Sequence, residues 1–212
     1  VLAHLGIIPD GGRRYARRSG ISLQSSYAQS LCRVTETIQL ATTVGFDEIS
    51  IYALSVRNLQ RATDEVEAVS RASVDWLGSF LSEPRFEIQH LGRADLLPSD
   101  YASILGRLTN RPSGGCEFRV NILAAYDPFE DCALAIQEGL FEEDPTTERP
   151  SRRPVDIVLR SGGGPAMLSG FLPLQCAYAE IKVFEGSYCE LPLWVIHENL
   201  RDHLDRPRLQ GL

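Results

Sequence analysis

The sequence predicts an α/β fold, a single domain in which a largely parallel central sheet is flanked by helices. Short runs rich in β-branched and aromatic residues alternate along the chain with longer stretches whose apolar residues recur at helical spacing. This alternation is typical of parallel strands joined by helices. The chain has 212 residues, which is near the length of one domain and enough to bury a core without disulfides or a structural metal. We therefore expect residues 1–212 to form one domain.

The strands are predicted from short apolar runs that end at turn-forming or polar residues. The first run, Leu2–Pro9, leads into Asp10, Gly11 and Gly12, a tight-turn signal. The other predicted strands are Glu48–Leu54, Phe86–Leu91, Glu117–Ala124 and Val155–Leu159.

The helices are predicted from apolar residues spaced three or four apart. The first, Gln24–Val44, has one apolar stripe and ends at Gly45, which is a typical helix stop. Asp64 followed by Glu67 resembles a capping box, so a second helix is expected to begin there, with Trp76 and Phe80 on its apolar face. The remaining predicted helices are Ser99–Leu108, Glu130–Leu140 and Leu193–Leu204.

One segment between the predicted elements is polar and rich in proline. Residues 142–154 read EEDPTTERPSRRP. Too little chain follows this segment to form a second core, so we interpret it as a mobile loop and not as a domain boundary.

Composition excludes several classes of protein. Lys and Arg together number 21 against 28 Asp and Glu, so the net charge of −7 argues against a nucleic-acid partner. No apolar run is long enough for an integral membrane segment, and no signal peptide is visible. The five cysteines are scattered without CxxC spacing, which favours free thiols in a reducing compartment over a zinc site. We therefore expect a cytoplasmic protein.

Three strand ends carry loops suited to bind an anion. They are Pro9–Arg14, Ser55–Asn58 and Arg160–Pro165, and each combines arginine with glycines or hydroxyls. Ligands of open α/β sheets bind beyond the carboxyl ends of strands, and glycine-rich loops can point N–H groups at a phosphate. Each loop alone has an ordinary interpretation as a turn, a solvated helix face or a flexible linker. Together they predict a phosphate or diphosphate site, in which Asp10 would act through Mg²⁺.

The same residues resemble the sequence motifs of a known family. The segments His4–Gly20, Ile51–Arg61, Asn121–Tyr126, Val155–Gly163 and Phe171–Glu180 are similar, in the same order, to the motifs of cis-prenyltransferases, the undecaprenyl diphosphate synthase family. These segments extend over nearly the whole chain. The resemblance implies a homodimer, an apolar tunnel between sheet and helices, and Mg²⁺-dependent coupling of two isoprenoid diphosphates.

The resemblance also implies roles for individual residues. Asp10 falls on a metal-binding position and Glu180 on a carboxylate that can join the metal shell. A first diphosphate, that of the allylic donor, is expected at Gly11, Gly12, Arg13 and Arg14, and the second at Arg160, Ser161, Gly162, Gly163 and Ser169. Ser55 and Asn58 match polar positions near the reacting carbons.

Departures from the family pattern indicate a particular branch. Gly12 replaces an asparagine, Leu23 and Tyr27 replace an arginine and a histidine, and Met167 replaces an arginine that helps to bind isopentenyl diphosphate. Leu23, Tyr27 and the stretch Phe171–Leu174 resemble the lavandulyl-type branch. That branch joins two allylic diphosphates head-to-middle into branched products, and isosesquilavandulyl diphosphate synthesis is the activity we expect.

The expected reaction joins dimethylallyl diphosphate to a second dimethylallyl or to a geranyl diphosphate. Asp10 and Arg14 would stabilise the leaving diphosphate, and released diphosphate, Tyr27 or Ser55 would take the final proton. Trp76, Leu77 and Phe80 would either form the floor of the pocket or belong to the core. Three alternatives stay open: a regular short-chain synthase that uses isopentenyl diphosphate, a non-catalytic partner subunit, and a generic phosphate-binding domain.

Overall fold

The computed structural model, which describes residues 3–112, 115–137 and 153–206, contains a six-stranded sheet in which all neighbouring strands are parallel. The strands are β1 (His4–Ile8), β2 (Glu48–Ser55), β3 (Phe86–Leu91), β4 (Phe118–Tyr126), β5 (Ile157–Arg160) and β6 (Glu180–Val183). Their order across the sheet is β3-β4-β2-β1-β5-β6. The predicted α/β class with a parallel sheet is confirmed.

Five of the six helices in the described residues lie in connections between consecutive strands, and the last one follows β6. The helices are α1 (Gly12–Ser19), α2 (Leu23–Val44), α3 (Thr63–Gly78), α4 (Ser99–Thr109), α5 (Pro128–Gln137) and α6 (Leu193–Asp205). The longest, α2, begins where the Ser22 hydroxyl accepts the N–H of Ser25, and it ends at Gly45, whose φ of 109° is easy only for glycine.

The core lies on both faces of the sheet because side chains alternate along each strand. On β1, Leu5 and Ile7 face the large cluster that contains residues of α2, α3, α4 and α6. Ile8 faces a smaller cluster with Phe171 and Leu172. Each of these apolar side chains contributes about 1.5–3 kcal/mol to the unfolding free energy when it is fully buried.

Strand β1 lies at the point where the strand order reverses: β2, β4 and β3 lie on one side of it, and β5 and β6 lie on the other. It pairs with β2 on one side and with β5 on the other. The carboxyl ends of these three strands therefore meet at the switch point of the sheet, which is the usual ligand position in open α/β folds. The three loops with predicted anion sites follow these three strands.

Several local predictions need correction. The capping box at Asp64 is wrong, because α3 begins at Thr63 after Ala62 and has no side-chain cap. Strand β6 and a separate helix α1 were not predicted, since β6 has only four residues and α1 carries four arginines in eight positions.

Leu2, residues 138–140 and residues 142–152 of the predicted loop lie outside the described residues. No described helix is long and apolar enough to cross a bilayer.

Candidate active site

A cavity of about 430 Å³ opens at the carboxyl ends of β1, β2 and β5. This volume lies within the range of small-molecule sites, which is about 300–1,000 Å³. The walls come from the strand ends and from helices α2 and α3, so the cavity lies between sheet and helices, where the tunnel is expected. The lining residues include Ile8, Pro9, Asp10, Gly11, Gly12, Arg13, Tyr27, Leu31, Ile51, Tyr52, Leu54, Ser55, Asn58, Val69, Ser73, Arg160 and Ser169.

Asp10 follows β1 and lies at the mouth of this cavity with its side chain 47% exposed. Its Oδ1 accepts the N–H of Gly11 at 2.6 Å, and its Oδ2 lies 3.5 Å from Nη2 of Arg160. Among the described residues, no cluster of three or more His, Cys, Asp or Glu side chains surrounds a metal position. One exposed carboxylate fits Mg²⁺, which usually takes one or two carboxylates and completes its shell with substrate phosphates and water.

The N-terminus of α1 adjoins Asp10 and is open to an anion. Gly11 precedes the helix with a φ of 97°, and no side chain caps it. The first helical hydrogen bond runs from the N–H of Tyr15 to the carbonyl of Gly11. The N–H groups of Gly12, Arg13 and Arg14 have no partner within the helix, as in any first turn. This part of the site, about 300 Å³ in volume, is lined by Asp10, Gly11, Arg13, Arg14 and Arg17.

The glycine loop after β5 has a different role from the predicted one. The N–H of Gly162 donates to the carbonyl of Gly186 at 2.7 Å, and the N–H of Gly163 donates to Phe184 at 2.8 Å. These donors are therefore not aimed at the cavity. Glycine is required at 162 because its φ is 102° and because a Cβ there would lie 3.0 Å from Asp10 and Arg14.

Ser161 also supports the loops of the site. It is fully buried, and its hydroxyl donates to the carbonyl of Asp10 at 2.7 Å. Arg14 donates to the carbonyl of Gly162. The two loops after β1 and β5 are thus tied together around the carboxylate of Asp10.

Arg160 is the buried cation of the cavity. Its Nη1 donates to Oγ of Ser169 at 2.9 Å and to the carbonyl of Met167. Its Nε is buried without a hydrogen-bond partner among the described residues. A buried donor in this state favours an anionic ligand next to Arg160. The side chain of Met167 is 51% exposed and does not line the cavity.

Ser55 and Asn58 lie together beyond β2, at the start of a short 3₁₀ helix, Val56–Gln60. Each side chain accepts the backbone N–H of the other at 3.2 Å. Both line the cavity, and this reciprocal cap holds the Ser55 hydroxyl and the Asn58 amide in fixed positions.

Tyr27 of α2 packs against α1. A Cβ on Gly12 would lie 3.3 Å from Cε1 of Tyr27, so the glycine lets the ring approach the helix start. Burial and the nearby Glu65 carboxylate raise the pKa of Tyr27. The phenol therefore keeps its proton at neutral pH, which makes it a hydrogen-bond donor in preference to a base.

Glu180 lies away from these residues. It begins β6 in register with Ile157, three positions before the level of Arg160, and it does not line the cavity. Its carboxylate bonds to Lys182, His203 and Arg206. Burial opposes ionisation, but the hydrogen bonds from Lys182 and His203 outweigh it and lower the pKa of Glu180 to about 2. Within this chain the structure does not bring Glu180 to Asp10.

The cavity also contains Arg57, which belongs to the predicted Ser55–Asn58 loop, and several residues that the sequence does not predict there. Arg57 and Arg61 line the mouth, and Glu65 holds Arg61 at 2.7 Å and Arg13 at 3.5 Å. The (i, i+4) spacing of Arg61 and Glu65 is the one local signal for this cluster. Val69 and Ser73 line the inner end of the cavity. Trp76, Leu77 and Phe80 do not line it and belong to the core.

The fold and site together define the class of this protein. It is an α/β protein in which Asp10 and two arginine-containing loops, one after β1 and one after β5, surround a partly apolar cavity. The family model described as putative undecaprenyl diphosphate synthase matches residues 8–211. This chain belongs to that family, whose curated members here are prenyltransferases that make cis-isoprenyl diphosphates.

Two named relatives are similar to this chain over most of their length. One is the geranylgeranyl-diphosphate-specific tritrans,polycis-undecaprenyl-diphosphate synthase of Pyrobaculum aerophilum, 27% identical over 89% of this chain and 87% of its own length. Another is the (2Z,6E)-farnesyl diphosphate synthase of Mycolicibacterium smegmatis, 25% identical over 98% of this chain and 87% of its own length.

Solved structures share the fold. Lavandulyl diphosphate synthase from Lavandula x intermedia, in complex with dimethylallyl diphosphate, matches with a TM-score of 0.79 and 20% identity, covering 97% of this chain and 96% of its own. A probable undecaprenyl diphosphate synthase from Campylobacter jejuni matches with a TM-score of 0.77 and 20% identity, covering 100% of this chain and 99% of its own. The two scores are nearly equal, so the fold alone does not separate a lavandulyl diphosphate synthase from an undecaprenyl diphosphate synthase.

Proposed function

We propose that this protein is an Mg²⁺-dependent prenyltransferase that couples two allylic diphosphates head-to-middle. The acceptor is dimethylallyl diphosphate, the donor is dimethylallyl or geranyl diphosphate, and the product is a branched lavandulyl-type diphosphate. The observation that carries the proposal is the pair of anion-binding loops beside Asp10, one at the start of α1 and one at Arg160 and Ser169.

The two loops suit two separate diphosphates. The α1 site offers backbone donors, the positive end of a helix and the guanidinium groups of Arg13, Arg14 and Arg17. The second site offers the Arg160 guanidinium and the Ser169 hydroxyl. The apolar part of the cavity begins beside both, at Ile8, Ile51 and Leu54, and suits two hydrocarbon chains.

The chemistry follows from these positions. Breaking the allylic C–O bond leaves negative charge on the donor diphosphate, which the α1 site stabilises by electrostatics. A bound Mg²⁺, held by Asp10 and the diphosphate, would add Lewis-acid stabilisation. The double bond of the acceptor then attacks the allylic carbon through an internal carbon. The resulting tertiary cation loses a proton to the released diphosphate, because the hydroxyls of Tyr27 and Ser55 both keep their protons at neutral pH and are weaker bases.

The choice of an allylic acceptor rests on Met167. Its exposed side chain supplies no charge at the second site, where the family resemblance predicts an arginine for isopentenyl diphosphate. No comparison singles out isosesquilavandulyl diphosphate synthesis, which we propose as the particular activity.

We further propose a homodimer that works in the cytoplasm. Phe129, Leu134 and Ile136 of α5 are 77%, 54% and 63% exposed, and such exposed apolar side chains favour a partner subunit that covers them. All five cysteines are free thiols, as a reducing compartment requires. Light scattering of the purified protein tests the dimer, and a monomeric mass at micromolar concentration would contradict it.

The decisive experiment offers the purified protein Mg²⁺, dimethylallyl diphosphate and geranyl diphosphate, with and without isopentenyl diphosphate. Products are identified as alcohols after phosphatase treatment. Branched alcohols formed without isopentenyl diphosphate are the expected result. Linear cis products that require isopentenyl diphosphate would refute the head-to-middle reaction.

A regular short-chain synthase is the second candidate, since the Mycolicibacterium relative carries that kind of name. The same experiment decides between them. A non-catalytic subunit would release no diphosphate on its own. Asp10 lies between Arg160 of the cavity and Arg14 of the adjoining α1 site, and this grouping favours an active enzyme.

A further inference from the structure

Tyr52 joins the end of β2 to the loop that carries Ser169. Its hydroxyl donates to the carbonyl oxygen of Ser169 at 3.2 Å, and both residues line the cavity. The two residues are 117 positions apart, so no local feature of the sequence indicates this contact.

The ring of Tyr52 is held from behind by an aromatic cluster. It lies 6.0 Å from the ring of Tyr126 in an edge-on arrangement and 5.7 Å from the ring of Phe171. Phe171 in turn packs against Gly6 of β1, where a Cβ would lie 2.7 Å from its ring. The phenol oxygen is therefore presented to Ser169 from a rigid support.

Ser169 needs this support because its backbone is strained. Its φ is 53°, in the left-handed region that costs a non-glycine residue free energy. In this conformation its Oγ accepts from Arg160 at 2.9 Å. Relaxation to a negative φ would turn the hydroxyl away from Arg160 and from the cavity.

We infer that Tyr52 is a positioning residue for the acceptor diphosphate, acting by holding Ser169 in the conformation that faces Arg160. This inference rests on the proposed function only in assigning the Arg160–Ser169 site to the acceptor. This role needs no proton transfer by Tyr52 and no contact between its hydroxyl and the substrate.

The test is steady-state kinetics of Tyr52→Phe, with geranyl diphosphate as donor and either dimethylallyl or isopentenyl diphosphate as acceptor. Loss of the hydroxyl should raise the KM of the acceptor roughly fivefold to tenfold, with the donor KM unchanged. Tyr126→Phe is the matched control: it removes a hydroxyl from the same cluster, but that hydroxyl bonds to Asp131 at 2.6 Å. Both KM values should stay the same in this control.

A double-mutant cycle separates positioning from general loosening. If Tyr52 acts through Ser169, then Tyr52→Phe adds little to the effect of Ser169→Ala, and the acceptor KM of the double variant matches that of the worse single variant. Effects that multiply, equal rises in both KM values, or an unchanged acceptor KM would overturn the inference.

Failure of the proposed function gives a different result. If only isopentenyl diphosphate is used, head-to-middle coupling is refuted while the acceptor KM still tests Tyr52. If neither acceptor reacts, binding of the unreactive dimethylallyl S-thiolodiphosphate is measured by calorimetry. A weaker affinity in Tyr52→Phe than in Tyr126→Phe supports the inference, and equal affinities overturn it.

Discussion

Asp10 and Arg160 face each other across 3.5 Å, at the carboxyl ends of the neighbouring strands β1 and β5. The carboxylate is half exposed, and the arginine is buried. This arrangement places the group that would bind a metal between the two sites that would bind diphosphates. The first prediction concerns this pair.

Asp10→Asn should lower turnover on the order of a hundredfold or more, because it removes the negative charge that would hold the Mg²⁺–diphosphate complex. The amide has nearly the same shape, but it leaves the buried Arg160 without its nearby carboxylate, so the unfolding free energy should fall by about 1 kcal/mol while the protein stays folded. Diphosphate release is the measurement. Asp95→Asn is the control, because Asp95 pairs with Arg93 in an exposed ion pair outside the cavity. Full activity of Asp10→Asn would show that the carboxylate is not needed.

Gly162→Ala should impair both folding and activity. Its positive φ costs about 1–2 kcal/mol for alanine, and the new methyl group would push against Asp10 and Arg14 at 3.0 Å. Displacement of these side chains should reduce the rate on the order of tenfold to a hundredfold. Gly164→Ala separates the two effects, since Gly164 has a φ of 84° but no atom within 4 Å of a Cβ. The Gly164→Ala variant should have a lower unfolding free energy and an unchanged turnover rate. Equal turnover rates in the two variants would contradict the role of close packing at Gly162.

Met167→Arg should shift acceptor preference toward isopentenyl diphosphate. The side chain at 167 is exposed, whereas its backbone carbonyl, which Arg160 contacts, is unchanged by substitution. A guanidinium there would add a charged donor for the second diphosphate. The ratio of kcat/KM for isopentenyl over dimethylallyl diphosphate is measured, with Met167→Leu as the uncharged control. An unchanged ratio would mean that position 167 does not select the acceptor.

Acid should destabilise the protein through His4, which is fully buried and bonds to the Ser50 hydroxyl at 2.8 Å. Burial, partly opposed by Glu48, lowers the pKa of His4 below its ordinary value of 6.5. The unfolded chain therefore binds a proton near pH 6.5 that the folded protein does not bind. Stability should fall as pH drops below about 6.5, with a slope of up to about 1.4 kcal/mol per pH unit.

Urea unfolding between pH 7.5 and 5 measures this slope. In His4→Gln the slope should be shallower, although the variant is less stable at every pH because a buried hydrogen bond is disturbed. Burial also lowers the pKa of His90, but His90 is present in both proteins, so the difference in slope reports His4. Equal slopes would show that His4 does not cause the acid sensitivity.

The fold class and the position of the site could both be predicted from the sequence. Alternating periodicities predict parallel strands, and parallel strands bring their carboxyl ends to one edge. Asp10, Ser55 and Arg160 follow three such strands, and the structure brings all three to one cavity. This inference needed no knowledge of the contacts, because it depends only on strand direction.

Contacts between distant segments were decided only by the tertiary structure. The N–H of Gly162 bonds to the carbonyl of Gly186, so a loop that looked ready for phosphate instead supports Asp10. Glu180 starts an edge strand and pairs with His203, and Tyr52 meets Ser169. Such pairings depend on strand order and on how the loops pack. The local periodicity of a sequence does not indicate which distant donors and acceptors will form hydrogen bonds with each other.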